Sequence, residues 1–277
     1  MKIASITWAR NEEDIIETFV RYHCTIVQQM HIIDNNSNDQ TWNILKKLQS
    51  NGLPIILSRD SSAYHRQAEA LTALIQEIAK QQESLPWIIP LDADEFLCTT
   101  GDPLHKLLTK CAPDTTYTTP WRTYVPTPSD HSSEPHVLRR IQHRRSEEPI
   151  QFSKVLIPPV FVRDPHIRIT EGGHSIYRNA NAYEVEIPAV HLNGVFIAHF
   201  PVRSERQLRR KIIDGWQRHR ANPKRKIGQA FHWEKLYDRC KAPEPMTAHE
   251  LQEIACNYAT KELTHATSTI VYDPLLK

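Results

Sequence analysis

Residues 90 to 97 read PLDADEFL and follow an apolar run, Trp87-Ile88-Ile89, without a spacer. Side chains of extended backbone alternate with period two, so Asp92 and Asp94 are expected to point to the same side of the chain. Two carboxylates so placed can hold a divalent cation, and a hard cation takes carboxylate and phosphate oxygens together. The expected chemistry is a metal at Asp92 and Asp94 that neutralises a diphosphate. The competing reading of an Asp-X-Asp segment is a solvated turn, and the element in front of it decides between them.

That element is the fourth strand of a series. Lys2 to Trp8 reads as a buried strand, followed by Ile15, Ile16, Phe19 and Val20 at helical spacing. Met30 begins a second strand that breaks into a polar turn reaching Asp39. Ser37 to Asp39 can cap a helix from Thr41, with Gly52 as its stop. Pro54 to Ser58 reads as a third strand. A helix over residues 64–82, with Leu71, Leu74, Ile75 and Ile78 on one stripe, leads to the fourth strand at Trp87 to Leu91. Pro90 cannot donate to a ladder, so it belongs at that strand's end or on an unpaired side. The alternation predicts an α/β fold, a mostly parallel sheet flanked by helices, and ligands bind such sheets beyond the carboxyl ends of the strands. The polar residues ending the strands are therefore the candidate site: Arg10, Asn11 and Glu12, then Asp34 to Asp39, then Asp60, then Asp92 to Glu95. Asp39 equally fits helix capping, and Asn11 and Glu12 equally fit the start of the first helix.

Composition removes several classes. Only seven glycines occur, in neither a GxGxxG nor a GxxxxGK[ST] pattern, so a dinucleotide fingerprint and a P-loop are both missing. The 34 basic and 32 acidic residues leave a net charge of +2, and the chain is not a polycation built to coat nucleic acid. Five scattered cysteines without a CxxC pair argue against a zinc site or a secreted disulfide scaffold. With polar sequence after Trp8 and no apolar run of membrane-spanning length, a cytoplasmic location is expected.

The second half is less regular. Residues 113–165 are crowded with prolines and basic side chains, which fits short strands and loops that complete the sheet and cover an acceptor side. Residues 203–220 show a helical pattern in which Leu208, Ile212, Ile213 and Trp216 share a face and arginines fill the rest. Continued to Lys226, this is a basic concentration. It reads either as a solvated surface or as a site for an anionic partner, an acidic glycan or the anionic inner face of a membrane. The expected division is a catalytic domain over 1–202, with a nucleotide-binding half 1–100 and an acceptor half 101–202, and a basic helical region over 203–277. That region includes a terminal helical segment, AHELQEIACNYATKEL (248–263), before an irregular tail.

Three segments in order, ARNEEDIIETFVRYH (9–23), IIDNNSNDQT (32–41) and PLDADEFL (90–97), resemble the successive motifs of nucleotide-sugar glycosyltransferases of the GT-A fold, in particular the family-2-like group with a DADEF aspartate motif. The likeness covers residues 2 to 100 and continues more thinly through EGGHSIY (171–177) and IAHFPVRSERQ (197–207). It implies a Rossmann-like nucleotide-diphospho-sugar transferase fold with a helical C-terminal extension. It also implies a manganese or magnesium ion at Asp92 and Asp94 with His199 completing the shell, and Arg203 and Ser204 near the phosphates. Asn11, Glu12 and Asp34 would then lie around the nucleoside, beside Arg10, with Tyr64 and Gln67 near the donor. His174, which follows two glycines that would let the backbone approach a ligand closely and is in reach of donor or acceptor, competes with His199, which also fits a hydrogen-bonded core histidine.

Such an enzyme must stabilise a leaving nucleoside diphosphate and activate an acceptor hydroxyl. Glu171 is the candidate general base, with Glu95 as the alternative. The family likeness favours inversion and a glycan or lipid-linked glycan acceptor, as in bacterial surface-polysaccharide or lipopolysaccharide assembly. Two rival classes remain on sequence grounds: a metal-dependent phosphohydrolase, and a nucleic-acid or anionic-glycan binder using residues 203–226 with Trp216, Phe231 and Trp233.

Overall fold

Strands β1 (Ile3–Ala9), β2 (Gln29–Asp34), β3 (Ile55–Arg59) and β4 (Trp87–Pro90) form one sheet in the order β3-β2-β1-β4, every pair parallel, in the computed structural model of the chain. Helices α1 (Ile16–His23), α2 (Thr41–Ser50) and α3 (Gln67–Gln81) alternate with them. The apolar spacing produces this arrangement directly. Leu71, Leu74, Ile75 and Ile78 of α3 are buried with Ile6 and Trp8 of β1, Ile33 of β2 and Ile88 of β4. Ile16, Phe19 and Val20 of α1 are fully buried. Gly52, at φ +82°, ends α2 in the left-handed region where a side chain would be strained. Pro90 is the last residue of β4, opposite Ile6, so no ladder bond is lost beyond it. The first helix starts at Ile16, later than the periodicity suggests, because residues 11–15 are taken up by a turn in which Ile15 and Ile16 donate to the Glu12 carbonyl.

Beyond the sheet the chain runs through β5 (Glu95–Thr99), α4 (Leu104–Leu108), β6 (Thr116–Val125), α5 (Val137–Arg140), β7 (His143–Arg145), β8 (Ser153–Leu156) and α6 (Pro159–Val162). Then come β9 (Ile167–Ile169), β10 (Ile176–Ala180), β11 (Tyr183–Glu186), β12 (Ala189–His191), β13 (Val195–His199), α7 (Glu205–Arg220), α8 (Phe231–Lys241), α9 (Ala248–Cys256) and β14 (Ile270–Tyr272). The described residues are 1–131, 133–180, 183–226, 228–260 and 269–276. The expected continuation of the last helical segment into residues 261–263 lies outside them.

Two units divide these elements. The first comprises residues 1–61, 66–121 and 152–197, and the second 62–65, 122–151 and 198–277. In the first, β6 pairs antiparallel with β8 and parallel with β12, while β9, β10 and β11 form an antiparallel sheet. In the second, Tyr124 and Val125 pair with β7, which pairs antiparallel with β14. Of the expected helical segment 203–220, residues 205–220 form α7, with Ser204 capping it by accepting the Gln207 N–H, Leu208, Ile212 and Trp216 buried, and Ile213 half-buried. No helix among the described residues is long and apolar enough to cross a membrane.

Candidate active site

Four parallel strands deliver their carboxyl ends to one edge of the sheet, and the residues that follow them are tied together there. After β1, Arg10 donates through Nη1 to the Asn35 carbonyl at 2.7 Å. Asn11, at φ +56°, donates its N–H to Ser37 Oγ and accepts the Asn38 N–H on Oδ1 at 2.9 Å. Glu12 donates its N–H to Thr41 Oγ1. Arg10, Asn11 and Glu12 therefore join the end of β1 to the loop after β2, and do not start a helix. Asp39 performs the expected capping, accepting the Thr41 N–H on Oδ1 at 2.9 Å.

Asp34, the last residue of β2, is fully buried. Its Oδ2 accepts the Ser37 N–H and lies 3.4 Å from Arg59 Nε, whereas Oδ1 is buried with no hydrogen-bond partner. A buried carboxylate oxygen left without a donor is costly unless a ligand supplies one. Asp60, after β3, accepts from Trp8 Nε1 at 3.1 Å and pairs with Arg66 Nε at 3.2 Å.

The aspartate motif differs from its expected geometry. Asp92 to Glu95 is a turn, closed by the Glu95 N–H on the Asp92 carbonyl at 3.0 Å, so the alternation of extended backbone does not govern Asp92 and Asp94. Asp94 is buried, and the Asp92 side chain is 32% exposed, enough for a ligand to reach it. Asp92 Oδ1 accepts from Gln67 Nε2 at 2.6 Å, and Oδ2 accepts from Lys154 Nζ at 2.8 Å. Lys154 also reaches Glu95 Oε2 at 2.8 Å and the Gly172 carbonyl at 2.6 Å, with its side chain only 1% exposed. Burial acts to lower the Lys154 ammonium, but Asp92 and Glu95 outweigh it and the pKa is raised. Burial pushes the Glu95 carboxyl up to about 8 against the opposing Lys154 charge, and Asp92 and Asp94 add to the rise.

Glu171 opens a short 3-10 turn, Glu171–Gly173. Its pKa is pushed up to about 7, by burial first and then by the negative charges of Asp92 and Glu69, while the Ala68 N–H on Oε1 at 3.5 Å opposes the shift. The glycines beside it permit close packing within the protein. Gly172 and Gly173 hold φ +71° and +65°, and a Cβ on Gly173 would stand 2.6 Å from the Pro90 ring while one on Gly172 would meet the His174 ring, so both glycines accommodate neighbouring side chains. His174 pairs through Nδ1 with the Ser153 carbonyl at 2.8 Å between Trp121 and Phe152. Burial, helped by the Lys154 charge, depresses it to about 4, so its imidazole is neutral at ordinary pH.

Of the candidates read from sequence, the first unit brings Asp92, Asp94, Glu95, Glu171, His174 and Gln67 together and places Arg10, Asn11, Glu12 and Asp34 along the same sheet edge. Tyr64, His199, Arg203 and Ser204 belong to the second unit. There His199 is buried near the Tyr258 ring, Arg203 donates to the Phe200 carbonyl, and Ser204 is spent on the α7 cap. Trp216 is buried under Arg225, and Trp233 packs on His65 and Gly215, so neither offers a free platform for stacking bases. Lys154 was missed. Its only signal is a lone charge in the apolar strand Ser153–Leu156, a position where an unpaired lysine would not be buried.

The pattern that defines glycosyl transferase family 2 matches residues 6–159, more than half of the chain. No curated protein matches it. Among solved structures, the chain is similar to the mannosyltransferase PcManGT from Pyrobaculum calidifontis in complex with GDP-Man and Mn2+, with 17% identity, 43% of this chain and 34% of that chain covered, and a TM-score of 0.35. It is also similar to GalNAc-T7 with UDP, GalNAc and Mn2+, with 11% identity, 86% and 54% covered, and a TM-score of 0.42. The chain thus spans about a third of the first structure and about half of the second.

Proposed function

The chain belongs to glycosyl transferase family 2, and from that premise we propose that it moves a sugar from a nucleotide-sugar donor to a hydroxyl of a glycan or lipid-linked glycan, the donor lying along the carboxyl ends of β1, β2 and β4. The observation that carries this reading is the group of mutually repelling carboxylates at that edge. Burial is the first cause that raises Glu95 and Glu171, with Lys154 opposing it at Glu95. The charges of Asp92 and Asp94 on Glu95 and of Asp92 on Glu171 add to the rise, an arrangement that gains from an added cation. The buried, undonated Oδ1 of Asp34 supports the nucleoside end, where a base N–H or ribose hydroxyl would satisfy it.

Manganese or magnesium fits the donor set, since Asp92 and Asp94 offer hard carboxylate oxygens. Among the described residues no three His, Cys, Asp or Glu side chains are gathered as a complete cage. Asp92 and Asp94 would hold the ion, and donor phosphate oxygens would supply further ligands. When bound, it stabilises the negative charge of the departing diphosphate.

For the transfer itself, the acceptor oxygen bonds to the anomeric carbon, and the bond from that carbon to the phosphate oxygen breaks. The electron pair leaves with the nucleoside diphosphate, and the hydroxyl proton passes to Glu171. A carboxyl poised near pH 7 suits that task, because it is available as a base and still takes up a proton readily. The base must be ionised, so kcat/KM should rise with pH through about 7. Single displacement, and hence inversion, follows the family resemblance. Two measurements test the proposal together: release of a nucleoside diphosphate from nucleotide sugars with and without Mn2+, and the anomeric configuration of the product by NMR. No release from any donor in the presence of acceptor glycans would overturn it.

A further inference from the structure

Asp92 and Gly172 are joined twice. On one side the Gly172 N–H donates to Gln67 Oε1 at 3.0 Å, and Gln67 Nε2 donates to Asp92 Oδ1 at 2.6 Å. On the other, Lys154 Nζ donates to the Gly172 carbonyl at 2.6 Å and to Asp92 Oδ2 at 2.8 Å. Together these bonds close a ring that uses both oxygens of the carboxylate and both polar groups of the Gly172 main chain. The third Lys154 proton goes to Glu95 Oε2, which also accepts the Asp92 N–H at 2.8 Å. An ammonium has three donors, and all three are committed, two to Asp92 and Glu95 at the ends of the aspartate turn and one to the turn that begins at Glu171.

We propose that Lys154 is a positioning residue that locks the turn carrying Glu171 to the aspartate motif, with Gln67 as the second arm of the lock. The inference rests on the glycosyltransferase reading for its kinetic consequence, but the coupling of the two turns is independent of it. Lys154 is nearly inaccessible and has no proton left for a ligand, so it acts through the geometry of Asp92 and Glu171 and not by touching the donor. Gly172 contributes its backbone, whose left-handed φ of +71° presents N–H and C=O to the two arms. The arms differ in kind. The lysine bonds are charge-assisted and buried, and the glutamine bonds are those of a neutral amide.

The test uses Lys154→Met and the double variant Lys154→Met with Glu95→Gln, because the single change strands buried carboxylates and the double one relieves part of that burden. Hydrogen exchange by mass spectrometry is read on a peptide covering residues 170–175, with β1 as internal reference, and kcat and donor KM are measured on the same samples. In the folded double variant, exchange of the 170–175 amides should rise about tenfold or more while β1 stays protected. Transfer should lose about a hundredfold in kcat, the cost of a small misplacement of reacting groups, with donor KM changed less than about threefold. Unchanged exchange at 170–175 would overturn the lock. So would a loss confined to KM, which would mean that the ammonium serves donor binding instead. A wild-type protein that transfers no sugar while the variant shows the exchange change would sink the glycosyltransferase reading and leave the lock standing.

Discussion

Two concentrations of charge, the acidic sheet edge of the first unit and the arginine-rich α7 of the second, are used in opposite ways. Arg209 and Arg218 of α7, with Arg145 of β7 in the same unit, spend N–H groups on the chain's own carbonyls. Arg209 donates to the Cys240 and Glu244 carbonyls at 2.7 and 2.6 Å, Arg218 to Ser62 O at 2.7 Å, and Arg145 to Ala255 O and Tyr258 O at 2.7 and 2.9 Å. These bonds satisfy helix ends and loops, which otherwise leave carbonyls without donors. At the sheet edge a single ammonium, Lys154, is shared by Asp92 and Glu95, Asp94 adds a further carboxylate beside them, and Asp34 Oδ1 is left without a donor. Cations consumed by carbonyls mark architecture, and carboxylates that share too few donors at a strand end mark a place for a ligand.

The largest effect should come from the acidic side. Asp94→Ala should reduce sugar transfer by about a thousandfold or more with an unchanged circular dichroism spectrum, and a variant that keeps full turnover would break the contrast at once. Next comes the scaffold beneath that edge. His23 accepts the Leu97 N–H on Nε2 at 3.0 Å, bonds the Phe19 carbonyl through Nδ1 and stacks on Phe96, and burial lowers its pKa to about 4. The fold holds the ring neutral while the unfolded chain takes up a proton near pH 6.5. Its contribution is therefore complete above pH 6.5 and is lost as the pH falls toward 4, by about 3 kcal/mol in all. Urea titrations of the wild type and His23→Gln across that window should differ in slope, and parallel curves would remove His23 from the account.

Arg209→Met should destabilise the protein by about 2 kcal/mol in the same titration without changing nucleotide affinity. A variant of normal stability and weakened nucleotide binding would show that the basic helix serves a ligand after all. Asp34→Asn should weaken nucleoside diphosphate binding about tenfold by calorimetry, since it turns an acceptor-only group into one that also carries donors. Arg206→Ala, at an exposed position of α7, should change stability by less than about 0.5 kcal/mol, which a thermal melt will register as no shift.

Much of the scaffold can be read from periodicity because each helix buries one stripe and the central strands β1 and β2 are rich in buried apolar residues. Leu71 to Ile78 and Trp87 to Ile89 announce their elements for that reason. The candidate site is legible in residue type and only partly in geometry. Asp34, Asp60 and Asp92 declare themselves as carboxylates ending strands. The turn at Asp92 to Glu95 does not, since a hydrogen bond from Glu95 to the Asp92 carbonyl replaces the extended backbone that the spacing suggests. Lys154 lies 62 positions from Asp92 in sequence, and only tertiary structure brings its ammonium to the carboxylate. The role of Gly173 is hidden likewise, because the Pro90 ring it accommodates comes from a different strand.

If the acidic edge binds a nucleotide together with a divalent cation, a thermal-shift experiment will register it. Nucleoside diphosphates and nucleotide sugars would be screened with and without Mn2+ against the wild type and Asp94→Ala, since a ligand of the folded state raises Tm by mass action. A Mn2+-dependent rise with one nucleotide is expected in the wild type and none in the variant. No rise with any nucleotide, or an equal rise in both proteins, would contradict it.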